Sequence, residues 1–143
     1  MAAATVVPRP RGVGTVDVVV ATQSGLPDQR LLAELTEYFE HRREIAVDLQ
    51  VRAPETVTVN LRVKVAPQAG VELSRARAEA EQALRSWFGG SCLGKDVLRA
   101  KLGDLMFRCD SVANYTIVAP AVDVSVAADV LPVLGTVTVE GMA

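Results

Sequence analysis

Three stretches of this chain alternate apolar and polar residues with a period of two: Val16-Val18-Val20, Val47-Leu49-Val51 and Val57-Val59-Leu61-Val63-Val65. That period predicts strands with one face to bury and the other left for water or a partner. The strands are expected over Thr15 to Ala21, Ala46 to Arg52 and Thr56 to Ala66. Only Ala53-Pro54-Glu55 separates the last two, a length that suits a hairpin. Further on, Ala113 to Ala119 predicts a fourth strand. A short alternating piece, Val122-Val124-Val126, follows Pro120, and Thr136 to Glu140 predicts a closing strand.

Helical spacing fills the gaps. From Asp28 to about Arg43, Leu31, Leu32, Leu35, Tyr38 and Phe39 recur at three-and-four intervals, the apolar stripe of an amphipathic helix. Burying each such side chain is worth roughly 1.5–3 kcal/mol, more than the propensity differences at stake. Pro27 suits the first turn. A second helix is expected from Leu73 to Phe88, with Ala76, Ala80, Ala83, Leu84 and Trp87 on one side and Gly89-Gly90 as its stop. A third, Lys95 to Phe107, presents Leu98, Leu102, Leu105 and Met106, at the cost of Gly103 in its interior, about 1 kcal/mol.

The order strand-helix-strand-strand-helix-helix-strand, with further C-terminal strand, predicts an α+β fold. The plan it matches is the two-layer, ferredoxin-like βαββαβ sandwich. In that plan one mostly antiparallel sheet carries helices on one face, and the first strand lies between the third and fourth. The extra helix and the C-terminal strand are additions to it. Residues 1 to 12, with Pro8, Pro10 and Gly12, are expected to be a flexible lead-in, and 13 to 143 a single domain.

Composition narrows the chemistry. Half of the 143 residues are hydrophobic but only 4% are aromatic, so the interior is aliphatic. Fifteen basic and seventeen acidic residues, interspersed, give a net charge of -2 and no footprint for nucleic acid or an anionic membrane. The strands also lack the exposed aromatics that stack bases on RNA-binding sheets. No apolar run approaches the ~20 residues of a membrane span, and the N-terminus does not read as a signal peptide.

Candidate chemistry is sparse. Cys92 and Cys109 lie 17 positions apart with a single histidine, His41, in the chain, which does not make a zinc set. The two could pair, but such low cysteine usage suits reduced thiols better. Cys92 near Lys95 is a candidate reactive thiol, and His41 the sole candidate imidazole base, so a hydrolase would have to use one of them. His41-Arg42-Arg43 suits the negative end of a helix dipole, the alternative being a phosphate or acidic-partner site. Gly89 to Asp96 approaches a phosphate-binding loop, but Asp96 stands where that loop needs Ser or Thr, and a helix rather than a strand precedes it. Glu34, Glu37, Glu40, Glu79 and Glu81 are expected on solvated helix faces. Asp17, at a polar alternate position, is expected to be exposed or paired.

Several segments, taken in order, resemble a known family. Arg9-Pro10-Arg11-Gly12-Val13-Gly14-Thr15-Val16-Asp17-Val18-Val19-Val20 resembles the glycine-rich start of the C-terminal region of baseplate-J-like proteins of contractile phage tails. Glu44-Ile45-Ala46-Val47-Asp48-Leu49-Gln50-Val51-Arg52-Ala53-Pro54 is similar to that family's strand ending in Ala-Pro. Gly94 to Leu98, Asn114 to Val124 and Leu134 to Val139 are similar to its later helix and strands. The resemblance implies a non-enzymatic part of the tail baseplate, assembled in the bacterial cytoplasm, that contacts other wedge subunits and its own copies. It implies no catalytic residue, cofactor, metal, nucleic acid, membrane or small-molecule substrate. Family members carry a longer N-terminal portion, so the chain is expected to be a C-terminal piece or a short variant. The polar strand positions Asp48, Gln50, Arg52, Thr58, Asn60, Arg62 and Lys64 are the candidate subunit contact. The competing reading is a ferredoxin-like regulatory domain that binds a small ligand at a dimer interface.

Overall fold

In the computed structural model, residues 2–8, 11, 15–40 and 48–142 are described. The chain divides into two compact units, one of Met1–Val57, Gly89–Lys95 and Ala127–Leu131, the other of Thr58–Phe88, Asp96–Val126 and Pro132–Ala143.

The first unit carries strands β1 (Ala3–Pro8), β2 (Thr15–Ala21) and β3 (Asp48–Arg52) in the order β1-β2-β3. β1 is antiparallel to β2, whereas β3 is parallel to it, with Thr15 opposite Asp48 and Val19 opposite Arg52. Parallel neighbours need a crossover, and helix α1 (Gln29–Glu40) supplies it. The Asp28 carboxylate accepts the Leu31 amide at 2.8 Å, satisfying an otherwise orphaned donor of the first turn. Leu32, Leu35 and Phe39 of the anticipated stripe pack on Val18, Val20 and Val51. Tyr38 stays half exposed, edge-on to Phe39 at 5.4 Å.

The second unit holds most of the long strand β4 (Glu55–Pro67), helices α2 (Leu73–Trp87) and α3 (Arg99–Phe107), strand β5 (Val112–Ala119) and most of β6 (Val130–Gly141). The sheet order is β5-β4-β6, with β4 antiparallel to β5. Hydrogen bonds from Thr136 to Asn60 and from Met142 to Val65 advance together along the two chains, so β6 runs parallel to β4. Val59, Leu61, Val63 and Val65 form one face of β4 and pack with Ala76, Ala80 and Leu84 of α2 and Leu102 and Met106 of α3. The alanines let α2 lie close to the sheet, as the sequence suggested. Gly103 is tolerated inside α3 because Tyr115 packs where a Cβ would stand.

The α+β class therefore holds, with two mixed sheets and three α-helices among the described residues. The ferredoxin-like plan of one mostly antiparallel sheet does not: the described residues form two three-stranded sheets, and the strands at Thr15 and Thr56 belong to different ones. The expected hairpin is absent because β3 pairs with β2 and β4 with β5 and β6. Residues 3–8, expected within a flexible lead-in, form edge strand β1, where a terminal Pro8 is tolerated because an edge needs no outward donor. The third helix begins at Arg99 rather than Lys95, since Val97 is drawn into a bridge with Val124. The expectations for Arg9, Pro10, Gly12 to Gly14 and His41 to Val47 lie outside the described residues, as does the side chain of Asp48.

The glycine-rich stretch that approached a phosphate loop is a short 3-10 turn, Gly90–Cys92. A Cβ at Gly90 would run into the carbonyl of Thr22. Backbone cannot yield as a flexible side chain can, so Gly90→Ala is expected to destabilise the protein by about 1–3 kcal/mol, read as a lowered urea midpoint. An unchanged midpoint would refute the close-approach role.

Candidate functional site

Two polar constellations stand out, one in each unit. In the first, Asp17 on β2 is the one charged side chain among the buried polar groups of the described residues, 4% exposed. Its Oδ1 accepts Arg11 Nη2 at 3.0 Å, and its Oδ2 accepts Arg52 Nε at 2.8 Å. Arg52 Nη2 continues to Asp129 Oδ2 at 2.9 Å. Burial pushes the Asp17 carboxyl up, but the hydrogen bonds and charges of Arg52 and Arg11 outweigh it and hold the group below the usual carboxylate range. Arg52 is correspondingly held above its ordinary value by Asp129 and Asp17. Of the two sequence readings of Asp17, the paired one stands. The network ties β2 to β3 and to the Asp129 turn, and its carboxylate is fully engaged by cations rather than poised for proton transfer.

In the second unit, the face of β4 opposite the helices is polar. Thr58, Asn60 and Arg62 are exposed and Lys64 partly so. Lys64 stands opposite Thr116 on β5, and Arg62 pairs with Glu140 on β6 at 3.0 Å. The Asn60 side chain accepts the Thr136 amide at 2.9 Å. It reaches that amide because Gly135 has no Cβ to block it.

The seven proposed contact residues thus separate into two groups. Gln50 and Arg52 lie on β3 of the first unit, along with the backbone of Asp48. Thr58, Asn60, Arg62 and Lys64 share one sheet face of the second. Arg52, Asn60 and Arg62 carry bonds within the chain, whereas Gln50 and Thr58 are exposed. Sequence reasoning missed Asp17 and Asp129 as the partners of Arg52 and Glu140 as the partner of Arg62, because ion pairs between distant positions leave no local pattern. It also placed Glu79 on a solvated face. Instead Glu79 Oε1 accepts the Asp110 amide at 2.8 Å and Oε2 accepts the Ser111 hydroxyl, fastening α2 to the turn before β5.

Cys92 and Cys109 are buried thiols. Burial pushes the Cys92 thiol up, against the opposing pull of the Gly89 backbone and Lys95. Burial, with Glu79 and Asp110, pushes Cys109 up too. Among the described residues no group of His, Cys, Asp or Glu is placed to hold a metal ion. No helix among them is long and apolar enough to cross a membrane. A depression of about 500 Å³ between α2 and α3 is lined by Ala83, Trp87 and Leu105 together with polar residues that include Glu79, Gln82 and Arg108.

Residues 59–140, more than half of the chain, match the family model described as the Baseplate J-like protein C-terminal domain. The later resembling segments fall inside that range, and those at Arg9 to Val20 and Glu44 to Pro54 fall before it. No curated protein sequence matches the chain. Among solved structures, it is similar to a chain in the cryo-EM structure of the anti-feeding prophage baseplate, six-fold symmetrised. The TM-score is 0.64 at 12% identity, over 88% of this chain and 30% of that one. At that identity the likeness is one of fold, and this chain spans less than a third of that protein's length.

Proposed function

The chain belongs to the baseplate J-like family, through its C-terminal domain, and from that premise we propose that it is a non-enzymatic wedge component of a contractile-tail baseplate. It would be assembled in the bacterial cytoplasm and work through contacts with other wedge subunits and with its own copies. The observation that carries this reading is the open polar face of the second unit's sheet, where Thr58 and Lys64 stand beside the Arg62–Glu140 pair. A two-layer unit covered by helices on one side only leaves its other side for a neighbour, and polar strand faces give specificity more than affinity.

Reversing charge at Arg62 and Lys64 together tests it. Arg62→Glu with Lys64→Glu is expected to cost at most about 1 kcal/mol of folding stability, because the Arg62 pair is exposed. Incorporation into tail particles, measured by quantitative immunoblot of purified tails, is expected to drop by about tenfold. Normal incorporation of the folded double variant would reject the contact. The small-ligand alternative draws on the depression beside Trp87, whose volume suits a small molecule. A metabolite that raises the melting temperature in a thermal-shift screen would favour it.

A further inference from the structure

The geometry points to the outer edge of β6 as the place where a second copy of this chain docks, extending the sheet across a two-fold axis. This inference rests on the assembly reading and names the surface by which the chain meets its own kind. β4 is the sole sheet neighbour of β6 among the described residues. Thr136 and Met142 turn their amides toward β4, so by alternation the backbone groups of Val137 and Val139 point away from it. The Arg77 guanidinium confirms the direction: its Nε donates to the Val139 carbonyl at 2.8 Å from the outer side. No backbone hydrogen bond from a described residue reaches the remaining outward groups of Val137 and Val139. A groove of about 370 Å³ lies between this edge and the Ser74, Arg77, Ala78 and Glu81 face of α2. Such an edge is a template for another strand.

Charge and register select the occupant. Two strand residues rise about 6.6 Å and four helix residues about 6 Å, so Val137 and Val139 are separated by nearly the same height as Glu81 and Arg77. Arg77 is level with Val139 through their hydrogen bond, which leaves Glu81 near the level of Val137. A two-fold axis through Thr138 exchanges Val137 with the partner's Val139. The same operation sets Arg77 against the partner's Glu81. Each Val139 carbonyl then takes the amide of the partner's Val137, and each Arg77 moves from a carbonyl to a carboxylate. An antiparallel pair centred on one residue is isologous, so the surface is complementary to itself. Ser74 and Ala78, both small, leave room for the two α2 helices to run side by side. On the opposite face Thr138 meets the partner's Thr138 at a non-hydrogen-bonded position, where Cα atoms stand about 4.5 Å apart.

Sedimentation equilibrium of the purified chain is expected to show a concentration-dependent dimer. Arg77→Glu or Glu81→Arg alone should weaken it by about tenfold, and the double exchange should restore it. Thr138→Cys should form a covalent dimer under mild oxidation, because the site suits a cross-strand disulfide and both native thiols are buried. Thr116→Cys, exposed on the opposite edge strand, should not. A monomer at all concentrations, a double exchange no better than the singles, or equal crosslinking of the two cysteine variants would overturn the inference. So would Thr138→Cys crosslinking only to a different protein in assembled tails, which would give the edge to a foreign strand. Normal tail incorporation of variants that cannot dimerise would sink this inference and spare the assembly reading. A tight dimer that never enters tails would do the reverse.

Discussion

Asp17→Asn is expected to lower the free energy of unfolding by about 1–3 kcal/mol, the cost of taking the charged acceptor from two partly exposed arginines. The Asp17 side chain is 6% exposed, while Arg52 and Arg11 remain partly buried and lose their shared acceptor. The amide of asparagine keeps the volume but turns a donor toward two donors. Arg52 retains Asp129, which limits the damage at that end. The sign of the pH dependence follows from the lowered native pKa of Asp17. Stability from this group is fully present above the ordinary carboxylate value, about 4, and is lost as pH falls through the lower native value. Urea denaturation at pH 7 and across pH 4 to 2 checks both statements. The native chain should lose more stability on acidification than Asp17→Asn does. Equal midpoints for the two proteins at pH 7 would refute a stabilising network.

Leu84→Ala should cost about 2–5 kcal/mol, because it empties a fully buried site in a core that is already aliphatic and rich in alanine. Ala76 and Ala80 flank it on the same side of α2, so few large groups are at hand to collapse into the space. Val122→Ala is the matched contrast. Val122 belongs to an alternating run, yet it is 73% exposed, and truncating it should change stability by less than about 0.5 kcal/mol. Thermal or guanidinium melts of the two variants decide the matter. Similar losses from both would mean that the packing around Leu84 is misplaced.

Those two residues mark how far pattern carries. The stripe Leu32, Leu35 and Phe39 was legible because helix period and burial coincide there, and so was the alternation of β4 with its polar face. Val122 shared the same alternation but met only the isolated Val97–Val124 bridge nearby, since alternation states which face is apolar and not whether anything covers it. β1 escaped notice because Ala3, Ala4 and Pro8 are poor strand formers. It forms because β2, buried on both faces, offers it a complete ladder from Ala3–Ala21 to Pro8–Val16. The candidate surface was half legible. Thr58, Asn60, Arg62 and Lys64 were recognised as one polar row, but their partners Thr136 and Glu140 lie more than seventy positions away.

The sequence by itself determined the α+β class, the three helices found among the described residues, the inward faces of α1, α2 and β4, and the family. Those follow from local periodicity and residue type, which act within a few positions. The tertiary structure alone decided that the strands belong to two sheets, that β2 and β3 are parallel, that Asp17 is held by two arginines, and that β6 presents an edge. Pairing depends on which backbone groups meet across long loops, and a backbone amide carries no side-chain signature of the partner it will find.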